Sequence, residues 1–323
     1  MITRKTTLKS TVLAIVATGS LVLASCGLGS AGGYTPSEAL EGPLSGIDLD
    51  GASVSVGSKN FTEQILLGKM ATILLKSAGA SVTDMTNVPG AATSRQAQLD
   101  GDTDFQWEYT GNGWINYLGH DDPILDPDEL YRAVRDGDRA NGLEWLSPGA
   151  MNNTYGFATP EATAQRLGVH SLSDVAALPK DELTFCVESE FASRNDGFEP
   201  MLEAYGLSPT DVKKSVMDTG AVYQATADGA CNFGEVFTTD GRIKSLNLRV
   251  LEDDLPFFPK YNLSGVVRQD LLDEYPQIED LFAPVVAELD DATMIDLNAR
   301  IDVDGEEPVD VALDWLEEKG FLS

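Results

Sequence analysis

The sequence predicts an α/β protein built from two lobes, on two observations. Strand-like and helix-like segments alternate in the order strand, helix, strand, helix, strand, and the same order returns later in the chain. The chain has 323 residues, of which 42% are hydrophobic, enough for one large or two ordinary domains with proper cores. Each series of elements is therefore expected to form a lobe of its own.

The first series of elements precedes residue 110. Asn60 and, three residues later, Glu63 form a capping-box-like start for its first helix, and apolar residues from Phe61 onward recur at helical spacing. The predicted strands are 52–56, 82–87 and 105–109, and the predicted helices follow Asn60 and cover 91–99. This order predicts a mainly parallel sheet covered by helices.

The second series gives the lobe boundaries. Its predicted strands are 183–187, 212–217 and 231–237, and its predicted helices are 197–205 and 221–227. The helical C-terminal stretches, 282–289, 294–299 and 309–319, have no strand of their own to cover. We therefore expect discontinuous domains: lobe one comprises 51–151 plus 262–323, and lobe two comprises 152–261. Two crossovers, near 150–154 and 259–264, would form the hinge.

The two lobes share a short internal sequence repeat, called the echo below. Residues 98–105 and 226–233 both read as a helix end, an Asp-Gly turn and a strand with Phe, and four residues beyond each Phe lies another aromatic residue, Tyr109 or Phe237. Open α/β sheets place their ligands at the carboxyl ends of strands, where these aromatics lie. The matching strand-to-helix turns bring one cation each, Lys59 and Arg194. Aromatics and one cation from each lobe suggest a ligand-binding cleft.

The charge excludes one class of partner. Asp and Glu number 52 against 22 Lys and Arg, for a formal net charge of −30, which repels phosphate backbones and makes nucleic-acid binding improbable. Any anion must be held by a few local cations.

The N-terminus is typical of an export signal, with basic residues followed by an apolar run and small residues. Residues 23–27, Leu-Ala-Ser-Cys-Gly, resemble a bacterial lipobox, so we expect a signal peptide at 1–25 and lipidation of Cys26. Residues 26–50 suit a flexible tether. The predicted location is the extracytoplasmic face of the cell membrane, through a lipid anchor. The alternative is an ordinary cleaved signal followed by a chance cysteine.

The remaining cysteines, Cys186 and Cys231, can form one disulfide in an oxidising compartment, or they are two buried free thiols. No metal site is expected, because the only histidines, His120 and His170, lie far apart without ligand-spaced cysteines. No cofactor is expected either. A Gly-x-Ser-x-Gly elbow is missing from the sequence, and neither histidine has a motif around it, so the chain is not expected to be an enzyme.

Several separated motifs resemble the substrate-binding proteins of osmoprotectant ABC importers, the glycine betaine/carnitine/choline type. They are Gly57-Ser58-Lys59-Asn60-Phe61-Thr62-Glu63-Gln64, Tyr109-Thr110-Gly111, Asn153-Thr154-Tyr155 and Thr239-Asp240-Gly241-Arg242-Ile243-Lys244. The resemblance runs from about Ser53 to Leu322. It implies a two-lobed, periplasmic-binding-protein-like fold of type II that closes around a quaternary ammonium ligand and presents it to a membrane permease. On this reading the chain performs no chemistry.

The resemblance also implies the site residues. It places an aromatic cage at Tyr109, Tyr155, Phe237 and Tyr261, and it matches Lys59, Asn112 and Arg194 to positions that hold the polar end of the ligand. A trimethylammonium has no N–H to donate, so shape and the negative faces of aromatic rings must recognise it.

A carboxylate at the other end of the ligand suits a forked guanidinium and a point cation. The pair of cations favours a zwitterion such as glycine betaine over choline. Phe237 departs from the tyrosine usual in the family. Choline, carnitine and ectoine remain alternative ligands, and a sensory or other non-transport lipoprotein on the same fold remains an alternative function.

Overall fold

The computed structural model describes residues 38–120 and 124–323. The predicted signal peptide, Cys26 and the first half of the predicted tether lie outside the described residues. The strands are β1 (Ser53–Lys59), β2 (Ser81–Val88), β3 (Phe105–Tyr109), β4 (Leu143–Trp145), β5 (Tyr155–Pro160), β6 (Thr184–Glu188), β7 (Lys213–Met217), β8 (Phe233–Phe237), β9 (Leu248–Val250) and β10 (Leu263–Arg268).

These strands form two sheets of five strands each within the described ranges. Sheet one has the order β2-β1-β3-β10-β4, and sheet two has the order β7-β6-β8-β5-β9. In each sheet the first three strands are parallel, while β10 in sheet one and β5 in sheet two run antiparallel to both neighbours. The expected α/β class is confirmed, but in each sheet only three of the five strands are joined by parallel pairing. The elements predicted from the sequence ended with the βαβαβ series of each lobe. They did not include the strand with which the chain enters each sheet from a crossover, β10 in sheet one and β5 in sheet two.

The helices cover both sheets. They are α1 (Thr62–Ser77), α2 (Ala91–Leu99), α3 (Thr110–Asn112), α4 (Pro127–Asp138), α5 (Glu161–Leu167), α6 (Leu172–Ala176), α7 (Phe198–Ala204), α8 (Thr219–Ala227), α9 (Arg242–Ser245), α10 (Gln269–Glu274), α11 (Gln277–Ala287), α12 (Asp291–Asp302) and α13 (Pro308–Glu318). The C-terminal helices α12 and α13 pack against α1, the helix that follows β1.

The start of α1 corrects one expectation. Phe61, in an extended conformation, is the N-cap residue, and no side chain caps the helix. Asn60 accepts a hydrogen bond from the backbone N–H of Gly90, and Glu63 is buried and bonded to distant residues. The predicted capping box is wrong, because tertiary contacts use both of its polar side chains.

Two chain crossovers connect the sheets. The first runs from β4 to β5, the second from β9 to β10, and they meet at an isolated antiparallel bridge between Asn152 and Asn262. The side-chain oxygen of Asn152 also accepts a hydrogen bond from the backbone N–H of Tyr261 at 2.7 Å. The two connections therefore lie side by side, next to two of the predicted site residues, Tyr155 and Tyr261.

The internal echo appears in the structure as a matched pair of turns. Asp100 and Asp228 are the C-cap residues of α2 and α8, and the glycines that follow, Gly101 and Gly229, have φ values of 80° and 76°. Glycine adopts this left-handed conformation without a Cβ clash. Each turn leads into a central strand, β3 or β8.

Cys186 and Cys231 form a disulfide that joins β6 to the segment before β8, with a Cα–Cα distance of 5.7 Å. It lies in a small apolar cluster of sheet two with Val222. In the part of the chain that the structure describes, no helix is long and apolar enough to cross a membrane.

Candidate functional site

A cavity of about 700 Å³ lies where the carboxyl ends of the central strands of both sheets face each other. Among its lining residues are the seven candidates named from the sequence: Lys59, Tyr109, Asn112, Tyr155, Arg194, Phe237 and Tyr261. Tyr109 is the last residue of β3 and Phe237 is the last residue of β8. The structure thus brings the two strand ends of the echo to one site.

Aromatic rings form a continuous wall of this cavity. Phe237 contacts Tyr155 at 5.2 Å between ring centroids, and Tyr155 meets Tyr261 edge-on at 5.8 Å. Offset and edge-on contacts are the arrangements that aromatic quadrupoles prefer. Three of the four predicted cage residues therefore form one run of touching rings, and Tyr109 lines the same cavity.

Phe61 belongs to the same wall and was not among the predicted site residues. Its ring stacks on Phe237 at 5.4 Å and on Tyr109 at 6.4 Å, and it lines the cavity. Sequence reasoning assigned Phe61 to the apolar stripe of α1. Its position as the N-cap of α1, immediately after the turn that carries Lys59, is the signal that could have placed it at the strand end.

Lys59 is paired inside the protein. Its ammonium lies 2.6 Å from the carboxylate of Glu108 and 4.9 Å from the ring centroid of Tyr109. Glu108 is 1% exposed and also accepts hydrogen bonds from Asn112 and from the hydroxyl of Tyr117. Lys59 and Asn112 are therefore members of one buried network, and the lysine charge at the cavity is already offset by a carboxylate.

Arg194 has more hydrogen-bond partners inside the protein than Lys59 has. Its guanidinium makes two hydrogen bonds to Asp196 at 2.8 and 2.9 Å, and it donates to the hydroxyl of Tyr261 and to the side-chain oxygens of Asn112 and Glu190. These contacts occupy all five N–H donors that a guanidinium has. The bond to Glu190 is the longest of the five, at 3.3 Å, and Glu190 is 41% exposed.

The same guanidinium lies over aromatic rings. Its central carbon is 5.1 Å from the ring centroid of Tyr155 and 5.9 Å from that of Tyr261, within the range of cation–π attraction. Desolvation by burial lowers the pKa of Arg194, but its interactions with Tyr155, Tyr261 and Asp196 outweigh this effect and hold the pKa well above its usual range. It remains a fixed positive charge, and a ligand carboxylate at this end would compete with Glu190 for it.

Acidic side chains also line the cavity. Glu188, Glu190 and Asp218 come from the lobe that contains sheet two. Arg242, from the same lobe, also lines the cavity and is paired with Asp240. The negative charges of the acidic residues favour a ligand with a cationic group. The site can thus hold a cation against aromatic faces and offer hydrogen-bonding groups at the other end.

Behind the ring wall, Glu63 joins several parts of the chain. Its carboxylate accepts hydrogen bonds from the hydroxyls of Tyr109 and Thr239, both at 2.6 Å, and from the side-chain amides of Asn153 and Asn298 at 2.8 and 3.1 Å. Desolvation at this buried position raises the pKa of Glu63, although the four donors oppose the shift. Glu63 and Asn153 both stand in the motifs that carry the family resemblance, but no pattern in the sequence connects the two residues.

Other sequence features lie away from the cavity. Trp107 and Trp145 are buried core residues, and the disulfide belongs to a separate cluster. Across residues 38–120 and 124–323, no three His, Cys, Asp or Glu side chains form a group that could hold a metal ion.

Comparison with known proteins gives a family match over nearly the whole described chain. Residues 52–318 match the family described as the substrate binding domain of ABC-type glycine betaine transport system. The expected resemblance is confirmed on this match.

Named relatives and a solved structure support the same family. The chain is 42% identical over 278 residues to a glycine-betaine-binding protein of Pseudomonas aeruginosa, covering 84% of this chain and 89% of that protein. It is 33% identical to the glycine betaine-binding protein YehZ of Escherichia coli, covering 85% and 93%. Among solved structures, a glycine betaine/carnitine/choline ABC transporter protein has a TM-score of 0.70 at 26% identity, covering 82% of this chain and 97% of that one.

Proposed function

The chain belongs to the family of substrate-binding domains of ABC-type glycine betaine transport systems, and from this premise we propose that it captures a quaternary ammonium solute, glycine betaine first, in the cavity between its two lobes. The bound solute would then pass to the permease of an ABC importer. The observation that carries the proposal is the wall of five rings, Tyr109, Phe61, Phe237, Tyr155 and Tyr261.

The ring wall suits this ligand class because a trimethylammonium offers no hydrogen-bond donor. Its methyl groups carry the positive charge, and the negative faces of aromatic rings attract it while also excluding water. The acidic residues that line the cavity add attraction for the cation. The ligand carboxylate is proposed to meet Lys59, Asn112 and Arg194, at the cost of the exposed contact between Arg194 and Glu190.

Choline is the second candidate ligand, and one observation favours it. Lys59 and Arg194 are both paired with carboxylates, Glu108 and Asp196, inside the protein. A ligand with a hydroxyl in place of a carboxylate would leave both pairs intact, since a hydroxyl does not need a full positive charge. The choice between the two ligands depends on whether a ligand carboxylate can compete for Arg194.

Calorimetric titration of the purified protein with glycine betaine, proline betaine, carnitine, choline and ectoine tests the proposal. Saturable one-site binding of glycine betaine, tighter than that of choline, is expected. Binding of none of the trimethylammonium compounds would contradict the function, and tighter binding of choline would reverse the order of the two candidates.

The lobes are proposed to be residues 51–151 plus 262–323 and residues 152–261, with the paired crossovers as the hinge. The bridge between Asn152 and Asn262 supports this division. Closure of the lobes over the ligand is the proposed mechanism, and the protein is proposed to act as a binding protein without enzymatic chemistry.

The protein is further proposed to be a lipoprotein anchored through Cys26 on the extracytoplasmic face of the membrane. The expected result for Cys26→Ala is release of the protein from the membrane fraction with unchanged ligand affinity. Retention of that variant in cells with normal processing would contradict the anchor.

A further inference from the structure

We propose that Glu63 is a positioning residue that couples the cage ring of Tyr109 to closure of the two lobes. The proposal rests on the proposed function, and it adds a residue that the ligand does not need to touch. Glu63 is 2% exposed and lies behind the ring wall, in the first turn of α1.

The four donors to Glu63 come from different parts of the fold. Tyr109 ends β3 of sheet one, Asn153 lies in the first crossover, Thr239 follows β8 of sheet two, and Asn298 belongs to α12. The side-chain amide of Asn298 also donates to the backbone carbonyl of Thr239 at 3.0 Å. One carboxylate thus joins both sheets, a crossover and the C-terminal helices.

The two carboxylate oxygens have different partners. Oε1 accepts from Tyr109 and Asn153, which lie on the sheet-one side and in the crossover. Oε2 accepts from Thr239 on the sheet-two side and from Asn298 in α12. A hinge movement that separates the sheets would break the Thr239 bond and leave the Tyr109 bond intact. Among the four hydrogen bonds to Glu63, the Thr239 bond is therefore the one that depends on closure.

The junction is tightly packed. The void beside it, which Asn153 and Asn298 help to line, has a volume of about 10 Å³, room for no more than one water molecule. Thr239 is completely buried and lines this void, so while the lobes are closed its hydroxyl has at most one water site to exchange for Glu63. Hydrogen bonds to a buried carboxylate are among the stronger ones in proteins.

The consequence for binding is kinetic. When the lobes close, the Thr239 bond holds Glu63, and Glu63 holds the hydroxyl of Tyr109, so the ring is kept in its place in the wall. Loss of the Thr239 bond should speed opening and release of the ligand, while capture by the open protein should change little.

The test uses Thr239→Val and Glu63→Gln in the full mature chain, with glycine betaine as the probe. Thr239→Val is nearly isosteric and removes only the donor, and Thr239 is not among the residues that line the ligand cavity. We expect a dissociation rate about tenfold faster and an association rate within twofold of wild type, measured by stopped-flow tryptophan fluorescence. The double variant should lose little beyond the larger single effect, because both changes break one contact.

Matched controls separate the junction from general effects of substitution. Thr159→Val removes a buried hydroxyl that, among the described residues, has no hydrogen-bond partner. Asp84→Asn removes a buried charge in β2 that pairs with Lys69 of α1. Both should leave the two rate constants unchanged.

Equal dissociation rates for folded Thr239→Val and wild type would overturn the proposal, as would additive losses in the double variant. If Glu63→Gln does not fold, Thr239→Val alone decides. If wild type binds no quaternary ammonium compound, the proposed function fails, and small-angle scattering then decides the role of Glu63. A larger radius of gyration for Thr239→Val than for wild type would support it, and identical curves would overturn it.

Discussion

The ring of Phe61 stacks on the ring of Phe237 at 5.4 Å, with 19° between the ring planes. Phe61 precedes α1 on the side of sheet one, whereas Phe237 ends β8 of sheet two, so this contact carries the ring wall from one lobe to the other. A residue in this position contributes to the cage and also to the closed arrangement of the lobes.

Phe61→Ala should therefore weaken glycine betaine binding by 5-fold to 30-fold. The change removes one aromatic face and the packing between the lobes, worth on the order of 1 to 2 kcal/mol. Calorimetric titration measures the effect. Phe257→Ala is the matched control, because Phe257 is also half-buried and packs on another phenylalanine, Phe258, away from the cavity. Unchanged affinity in folded Phe61→Ala would remove Phe61 from the site.

The stability of the protein should depend on pH through Glu235. This carboxyl is 1% exposed in β8, and among the described residues its Oε1 has no hydrogen-bond partner, while Oε2 accepts from the backbone N–H of Glu188. Desolvation, together with the nearby negative charges of Glu188 and Asp240, raises the pKa of Glu235 from 4.5 to about 8.

A raised pKa in the folded state means that folding favours the protonated carboxyl. The stabilisation is complete below pH 4.5, the pKa expected in the unfolded chain, and it is lost as the pH rises through about 8. The free energy of unfolding should fall by up to about 1.4 kcal/mol per pH unit in this window. Glu235→Gln should lack this slope and should be more stable than wild type at pH 8. Urea unfolding between pH 5 and pH 8 measures both, and parallel curves would contradict the prediction.

The disulfide should matter for stability and not for binding. Cys186 and Cys231 are 45 residues apart in sequence, and a cross-link that closes a loop of this size contributes about 4 kcal/mol by restricting the unfolded chain. The double variant Cys186→Ser, Cys231→Ser should unfold at lower urea concentration than wild type and bind glycine betaine with the same affinity. A large loss of affinity in the folded variant would show that the bond shapes the cavity.

The sequence predicted the part of the fold that depends on local pattern. The predicted helix at 91–99 and the predicted strand at 105–109 have the observed bounds, because turn residues and apolar periodicity mark both ends. The antiparallel entry of β5 and β10 into the sheets was not predicted, since it depends on pairing between residues far apart in the chain.

The residues of the site were also predicted from the sequence only in part. The strand-end position of Tyr109 and Phe237 followed from the echo, and the structure places both at the cavity. The partner of Lys59, Glu108, was not recognised, because a charge pair between strands has no fixed spacing. Glu63 was read as part of a helix cap for the same reason. Asp196, two residues after Arg194, is close enough in sequence to suggest an ion pair, and the structure shows this pair.

Arg194 offers the sharpest distinction between the two candidate ligands. Its guanidinium holds Asp196 and the hydroxyl of Tyr261, and its contact with Glu190 is the one that a ligand carboxylate could replace.

Arg194→Ala should therefore affect both ligands through the position of Tyr261, and glycine betaine additionally through its carboxylate. Leaving a carboxylate poorly paired in a water-poor cleft costs roughly 2 to 5 kcal/mol, so the affinity for glycine betaine should fall at least tenfold more than that for choline. Calorimetry with both ligands on wild type and Arg194→Ala measures the difference. Glu190→Gln serves as the companion variant: it removes the charge that competes for Arg194, together with some attraction for the ammonium group of both ligands, so the ratio of affinities should shift toward glycine betaine. Equal losses for the two ligands in Arg194→Ala would assign Arg194 to holding the lobes and Tyr261 in place, and would leave the ligand carboxylate to Lys59 and Asn112.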